Sequence, residues 1–331
     1  MNLFELLSLN YFVLLLIIFF INLVILSYRE KIANKLKIND IPNHRKIHKI
    51  PTPLIGGICF FVTILILFLF NFYENKLEFS KFSSHLLLLS IFFFTGLLDD
   101  IKPISPKIRT IIIILSLLIL IPFNTNFLIS ELKFFSTGRV INLENFSLIF
   151  TIFCIFALYN AYNFIDGVNG TAISIMIFWM IFLFNKDDNI IYLTSILILI
   201  LIFSYNFFGK IFLGNSGTSL LSIFISLSMI NDYNLNSKFF ADEILFLLLF
   251  PGLDMGRVVI ERIFKGKKIY SPDKIHFHHY LIEKKISNIW FFMLFLTTLP
   301  LILIYFFKKI ILSIILFFSI YFILIILLKK K

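Results

Sequence analysis

Along the chain, long apolar runs alternate with short polar segments, and this alternation dominates every local pattern. Apolar runs occupy residues 9–27, 53–71, 84–98, 110–122, 147–162, 171–185, 190–204, 218–230, 243–256, 290–307 and 310–328. A perpendicular helical span needs ~20 apolar residues, and the shorter runs extend into polar ends that neighbouring helices can shelter. The pattern predicts an all-α polytopic membrane protein of about eleven transmembrane helices. No internal repeat and no low-complexity linker interrupts it, so residues 1–331 read as a single integral membrane domain. Residues 123–146, with Thr, Asn and one Gly, have room for a short hairpin. The first run has no basic segment before it and no small-residue cleavage site after it, so it reads as a retained span.

Composition sharpens this picture. The 331 residues are 59% hydrophobic and only 15% charged, against about 25% charged in soluble domains, and the mean hydropathy is +0.96. A soluble enzyme, a disordered chain and a disulfide scaffold are excluded. Cys59 and Cys154, the two cysteines, lie inside apolar runs and read as small buried hydrophobes. The net charge of +11 has a membrane explanation and calls for no nucleic-acid partner. Of the 30 Lys and Arg, 22 fall on one alternate set of loops, 28–52, 99–109, 163–170, 205–217, 257–289 and 329–331. The positive-inside rule makes that set cytoplasmic; Lys308 and Lys309 run against it. Five of the six His fall on the same loops, as do Asp99, Asp100, Asp166 and Asp273. Carboxylates so close to hydrocarbon mark a site by default, which predicts an active site on the cytoplasmic face.

Five stretches carry candidate chemistry. The first reads PNHRKIHKIPTPLIGG from Pro42 to Gly57. Its Pro and Gly break helix and expose N–H groups, and with Lys46 and His48 nearby it suits an anion; a basic loop touching anionic lipid is the plain alternative. The second, GLLDD, ends in Asp99 and Asp100, with Lys107 and Arg109 downstream. Adjacent carboxylates persist where a cation or a shared proton relieves them; the alternative is a polar helix end facing the headgroups.

In the third, NAYNFIDGVNG, Asn160, Asn163 and Asp166 recur at i, i+3 spacing, with Asn169 just beyond. They place oxygen donors on one helix face, a set that suits Mg²⁺. Gly167 and Gly170 permit a tight turn. A glycine C-cap explains the glycines but not the stacked amide and acid groups. The fourth, FLGNSG, contains Phe212 and Asn215 and opens a span. It reads equally as an anion-binding helix start and as an ordinary Ser/Thr cap. The fifth, DKIHFHH, holds His276, His278 and His279. Three His can bind a transition metal, but the spacing matches no standard zinc site, and phosphate is the favoured partner. Together these loops suggest a membrane enzyme that handles phosphate with Mg²⁺.

In their order, spacing and membrane side, these five motifs resemble the polyprenyl-phosphate N-acetylhexosamine-1-phosphate transferases. The HFHH form resembles the branch acting for O-antigen, teichoic acid or capsule. The resemblance implies transfer of HexNAc-1-phosphate from a UDP-HexNAc to undecaprenyl phosphate, giving undecaprenyl-diphosphate-HexNAc and UMP. It implies Mg²⁺ (Mn²⁺ as a substitute) and a multi-pass protein of the bacterial inner membrane, and it admits a homodimer. It also implies roles. Asp99 orients or deprotonates the lipid phosphate beside Asp100. Asn163 is a metal ligand, and Asp166 holds the nucleotide or a metal-bound water. Phe212 stacks on uracil and Asn169 hydrogen-bonds it. Lys107, His276 and His278, with His279 alongside, and more weakly Lys46 and His48, contact the pyrophosphate. One position departs from the family pattern: Asn215 stands where the family carries a metal-ligand Asp. Two other readings follow. One is a catalytically silent paralogue that binds UDP-sugar or lipid phosphate. The other is an unrelated transporter, for which Asp254, after Pro251 and Gly252 within a span, is the best support; its plain reading is a polar group close to Arg257.

Overall fold

The computed structural model describes residues 9–42, 50–75, 79–235, 239–270 and 273–330. Each of the eleven apolar runs falls on a helix, because in hydrocarbon every backbone N–H and C=O must be satisfied within its own segment. In chain order these helices are α1 (Leu9–Ser27), α3 (Gly56–Asn75), α4 (Phe79–Ile101), α5 (Pro106–Leu120), α6 (Ser147–Ile165), α7 (Thr171–Lys186), α8 (Ile190–Phe207), α9 (Gly214–Leu235), α10 (Ala241–Phe264), α12 (Ile289–Phe307) and α13 (Ile310–Lys329). Two shorter helices lie in segments read as loops: α2 (Arg29–Leu36) and α11 (Phe277–Glu283). Among the described residues, eight helices are long and apolar enough to cross a membrane, and α7 is a shorter apolar helix. The chain is a polytopic, nearly all-helical membrane protein.

Helices α9 and α10 fall outside those eight for a physical reason. Helix α9 carries Ser216, Ser219, Ser222, Ser226 and Ser228, all buried, and packs against α3, α4, α6 and α7. Its surroundings are protein, so apolarity is not required of it, and small residues let neighbouring backbones approach. The hydroxyls turn back onto their own helix: Ser222 donates to the Ser219 carbonyl at 2.8 Å and Ser226 to that of Ser222 at 2.7 Å. Helix α10 carries the acids and arginines described below.

Two small hairpins complete the fold. Strands β1 (Asn39–Asp40) and β2 (Thr52–Pro53) pair antiparallel. In the 123–146 segment, β3 (Glu131–Lys133) pairs with β4 (Val140–Asn142) in the register Glu131 to Asn142, the hairpin that segment has room for. Asp242, in the first turn of α10, accepts from the Phe135 and Ser136 amides at 3.2 and 3.0 Å and fastens the hairpin to the bundle.

Candidate functional site

The second, third and fourth motifs, and the end of the first, meet at the N-terminus of α9. Helix starts leave N–H groups without partners, and Asp100, at the end of α4, supplies acceptors. Its Oδ1 accepts from the Asn215 amide at 2.7 Å, and its Oδ2 from the Ser216 amide at 3.0 Å and hydroxyl at 2.8 Å. The Asn215 side chain favours the charged form of the same carboxylate. The anion that this helix start attracts is thus Asp100 of the chain itself. Gly214 makes this possible, with φ +73° and a position where a Cβ would lie 2.6 Å from Asp100 Oδ2.

Close approach of backbones continues around that point. A Cβ on Gly96 would lie 2.3 Å from the Asn215 carbonyl oxygen, and one on Gly57 would lie 2.4 Å from the Gly217 nitrogen. The PTPLIGG segment pairs directly with FLGNSG. Phe212 N donates to the Pro53 carbonyl at 2.9 Å, Gly56 N to that of Phe212 at 3.0 Å and Gly57 N to that of Leu213 at 3.1 Å.

Beside this junction lies a cavity of about 540 Å³ lined by Asp40, Leu54, Asp100, Asn163, Asp166, Gly167, Val168, Asn169, Asn206, Phe212, Gly214, Asn215, Thr218 and His279. Asp166 caps the C-terminal end of α6 and has no hydrogen bond or ion pair among the described residues. Burial pushes its carboxyl up to about 7, and the Asp100 charge adds to the shift. One turn earlier, the Asn163 Oδ1 accepts from Thr218 Oγ1 at 3.3 Å. Asn160, a further turn back, donates to the Phe156 carbonyl of its own helix at 2.8 Å and does not line the cavity.

The turn after Asp166 is held from below. Asn206, at the end of α8, accepts from the Gly170 amide at 2.7 Å and donates to the Ile211 carbonyl at 3.0 Å, tying this turn to the start of the Phe212 motif. Sequence reading missed Asn206; a buried amide at a helix end next to a glycine-rich turn was the available signal. Gly170, at φ +81°, needs to be glycine. Gly167 leaves room for His278, whose Nε2 would lie 2.1 Å from a Cβ at that position.

The histidines are divided. His279 lines the cavity. His278 is buried against Gly167, and His276 is buried 3.4 Å from Arg262 Nη2 through its Nε2. Burial holds His278 at about 3 and His279 at about 4, so both are neutral imidazoles at pH 7.

Several expected residues stand away from the cavity wall. Asp99 pairs with Arg109 at 2.8 Å and accepts from the Ile104 amide at 2.7 Å. Lys107 is exposed near the start of α5. Lys46 and His48 lie outside the described residues. The cavity wall gathers Asp100, Asn163, Asp166, Asn169, Phe212, Asn215 and His279.

The donor set is oxygen-rich. No group of three or more His, Cys, Asp or Glu that could hold a metal ion occurs among the described residues. One uncommitted carboxylate ringed by amide and hydroxyl oxygens fits a hard cation that takes its remaining ligands from substrate phosphates. It does not fit a cation caged by protein alone.

A bundle of membrane helices thus closes on a cavity of acid and amide oxygens. Residues 82–232 match the profile of glycosyl transferase family 4. The chain is 26% identical to the undecaprenyl-phosphate alpha-N-acetylglucosaminyl 1-phosphate transferase of Escherichia coli O157:H7 over 84% of this chain and 78% of that protein. It is 29% identical to the protein of the same name from Haemophilus influenzae, over 83% and 79%. The Yersinia pestis protein of that name is 26% identical over 85% and 79%. The chain is an enzyme of the phosphotransferase type, a polyprenyl-phosphate sugar-1-phosphate transferase. The matched family depends on divalent metal in general.

Proposed function

We propose that this chain transfers HexNAc-1-phosphate, with GlcNAc or a related sugar, from a UDP-sugar to undecaprenyl phosphate at the cytoplasmic face of a bacterial inner membrane. The observation that carries the reading is the cavity wall itself, where the Asp166 carboxylate stands without a protein partner among the described residues. A phosphate oxygen of the lipid attacks the sugar-bearing phosphorus, the bond to UMP breaks, and undecaprenyl-diphosphate-HexNAc and UMP result. Such a transfer is mostly positioning and charge neutralisation. Mg²⁺, held between substrate phosphates, Asp166 and the Asn163 and Asn215 oxygens, would neutralise the developing charge.

The chain's own residues do the rest. Phe212 offers a ring to uracil, and Asn169 an amide to its edge. His279, with His278 and His276 behind it, faces the pyrophosphate. Asp99, held by Arg109, orients or deprotonates the lipid phosphate, and Lys107 and, more weakly, Lys46 and His48 contact the pyrophosphate. The test uses purified protein in detergent with undecaprenyl phosphate, Mg²⁺ and a panel of UDP-HexNAc sugars. UMP release that requires the lipid is the expected result, and the sugar that supports it names the substrate.

A second reading, a silent paralogue that binds without turnover, has one observation in its favour. Asn215, at the position where the resemblance calls for a metal-ligand Asp, brings no charge and gives its backbone amide to Asp100 at 2.7 Å. Absence of UMP release by folded protein that still binds UDP would select it.

A further inference from the structure

The His276–His279 segment reaches the cavity from outside it, and its backbone is gripped by α10. Arg262 forks onto Asp273 at 2.9 and 3.0 Å. Arg257 Nη2 donates to the Ile275 carbonyl at 2.6 Å and to Asp254 Oδ1 at 2.7 Å. Asp254 Oδ2 accepts from the Phe277 amide at 3.3 Å and lies 3.7 Å from His276 Nδ1. Asp254 and Arg257 are buried, so the pair depends on every further hydrogen bond that satisfies it.

One of those bonds comes from the last helix. The Tyr321 hydroxyl, on α13, donates to Asp254 Oδ1 at 2.7 Å and accepts from Arg257 Nε at 2.7 Å. Tyr321 is fully buried, with its ring stacked on Phe277 at 5.6 Å. Further along the same helix, Lys329 pairs with Glu261 of α10, so α13 is fastened to α10 at a second point. Nothing on α13 lines the cavity. A chain of contacts nevertheless runs from Tyr321 through Asp254 and Arg257 to the backbone of 275–277. From there it reaches His278 against Gly167 and His279 on the cavity wall.

We propose that Tyr321 is a positioning residue: its hydroxyl locks the Asp254–Arg257 pair in the geometry that sets the histidine segment against the Asp166–Gly167 turn. Removing a hydroxyl that bridges two buried charges leaves both short of a hydrogen bond and so loosens the pair and, with it, the segment the pair holds. The phenyl ring of Tyr321→Phe keeps the stacking on Phe277 and removes only that bridge.

The test has two arms. Only the kinetic arm rests on the transferase reading above. Hydrogen–deuterium exchange on the full-length protein in detergent, without substrate, is expected to speed up over 273–283 in Tyr321→Phe and to stay unchanged over 147–165. Unchanged exchange over 273–283 overturns the proposal whether or not the protein turns over a sugar. In the kinetic arm, Tyr321→Phe lowers kcat/KM for the UDP-sugar about 10-fold in the wild-type background and by less than about twofold in a His279→Gln background, because residues that act through one another do not add. Equal losses in both backgrounds would mean that Tyr321 acts elsewhere and would refute the positioning role. Tyr305→Phe on α12, which removes a hydroxyl bonded to Glu243, is the control expected to leave both readouts unchanged.

Discussion

At Asn215 an amide lies against the Asp100 carboxylate, so the site carries one fewer charge than a carboxylate there would give. Asn215→Asp places a second carboxylate beside Asp100 and exchanges an attraction for a repulsion. Without divalent cation the thermal midpoint of the variant is expected to fall; with Mg²⁺ it recovers. Half-maximal turnover is then reached at lower Mg²⁺ than in the wild type, and a Mg²⁺ titration that gives the same or a higher requirement would overturn this account. Gly167 makes a separate demand. Its substitution by Ala drives a Cβ into His278, which is 3% exposed and has little room to yield. Overpacking of this kind costs about 1–3 kcal/mol. Denaturation in detergent is expected to show that loss for Gly167→Ala, together with a lower kcat/KM.

The short helix α11 and the loop before it respond to pH through the buried histidines. His278 and His279 stay neutral when folded, held at about 3 and about 4, whereas an unperturbed imidazole titrates at 6.5. Between about 4 and 6.5 these two side chains bind more protons unfolded than folded, so their contribution to stability falls as pH drops through that window, while Asp166, raised to about 7, acts in the opposite direction. The thermal midpoint of the wild type, measured relative to that of His279→Gln, is therefore expected to decrease from pH 7.5 to pH 5.

At this scale the sequence was legible wherever the determinant is local. The hairpin in 123–146, the glycine turn after Asp166 and the proximity of Asp254 to Arg257 were all readable from spacing and residue type. Helix α2 and helix α11 were not, because both are brief, lie in basic segments and lack a long apolar run. Of the candidate site, Asn163, Asp166 and Phe212 were readable from their motifs. The capping of α9 by Asp100, the Asn206 staple and the bridge made by Tyr321 depend on partners that no local pattern reveals.

Across the whole molecule, the cavity is the product of distant segments. Asp40 and Leu54 come from one end of the chain and His279 from the other, with Asp100, Asn163 and Asn215 between. The apolar runs announce the bundle but not which ends of it converge. That is fixed by glycines, which bring α3 and α4 onto the start of α9, and by the pairing of residues 53–57 with 212–213.

The bond between Asp100 and the start of α9 also has a consequence for biosynthesis. The carboxylate and the amide that satisfies it are 115 residues apart, so during vectorial insertion α4 enters the bilayer long before its partner has been made. A ribosome-released fragment ending before residue 214 would carry an unanswered acid at the rim of the membrane, where quality-control proteases read such defects. A fragment ending after residue 235 would have that acid answered. Pulse-chase labelling of the two fragments is expected to show a shorter half-life for the first. Similar half-lives would mean that Asp100 is sheltered by some other means until α9 arrives.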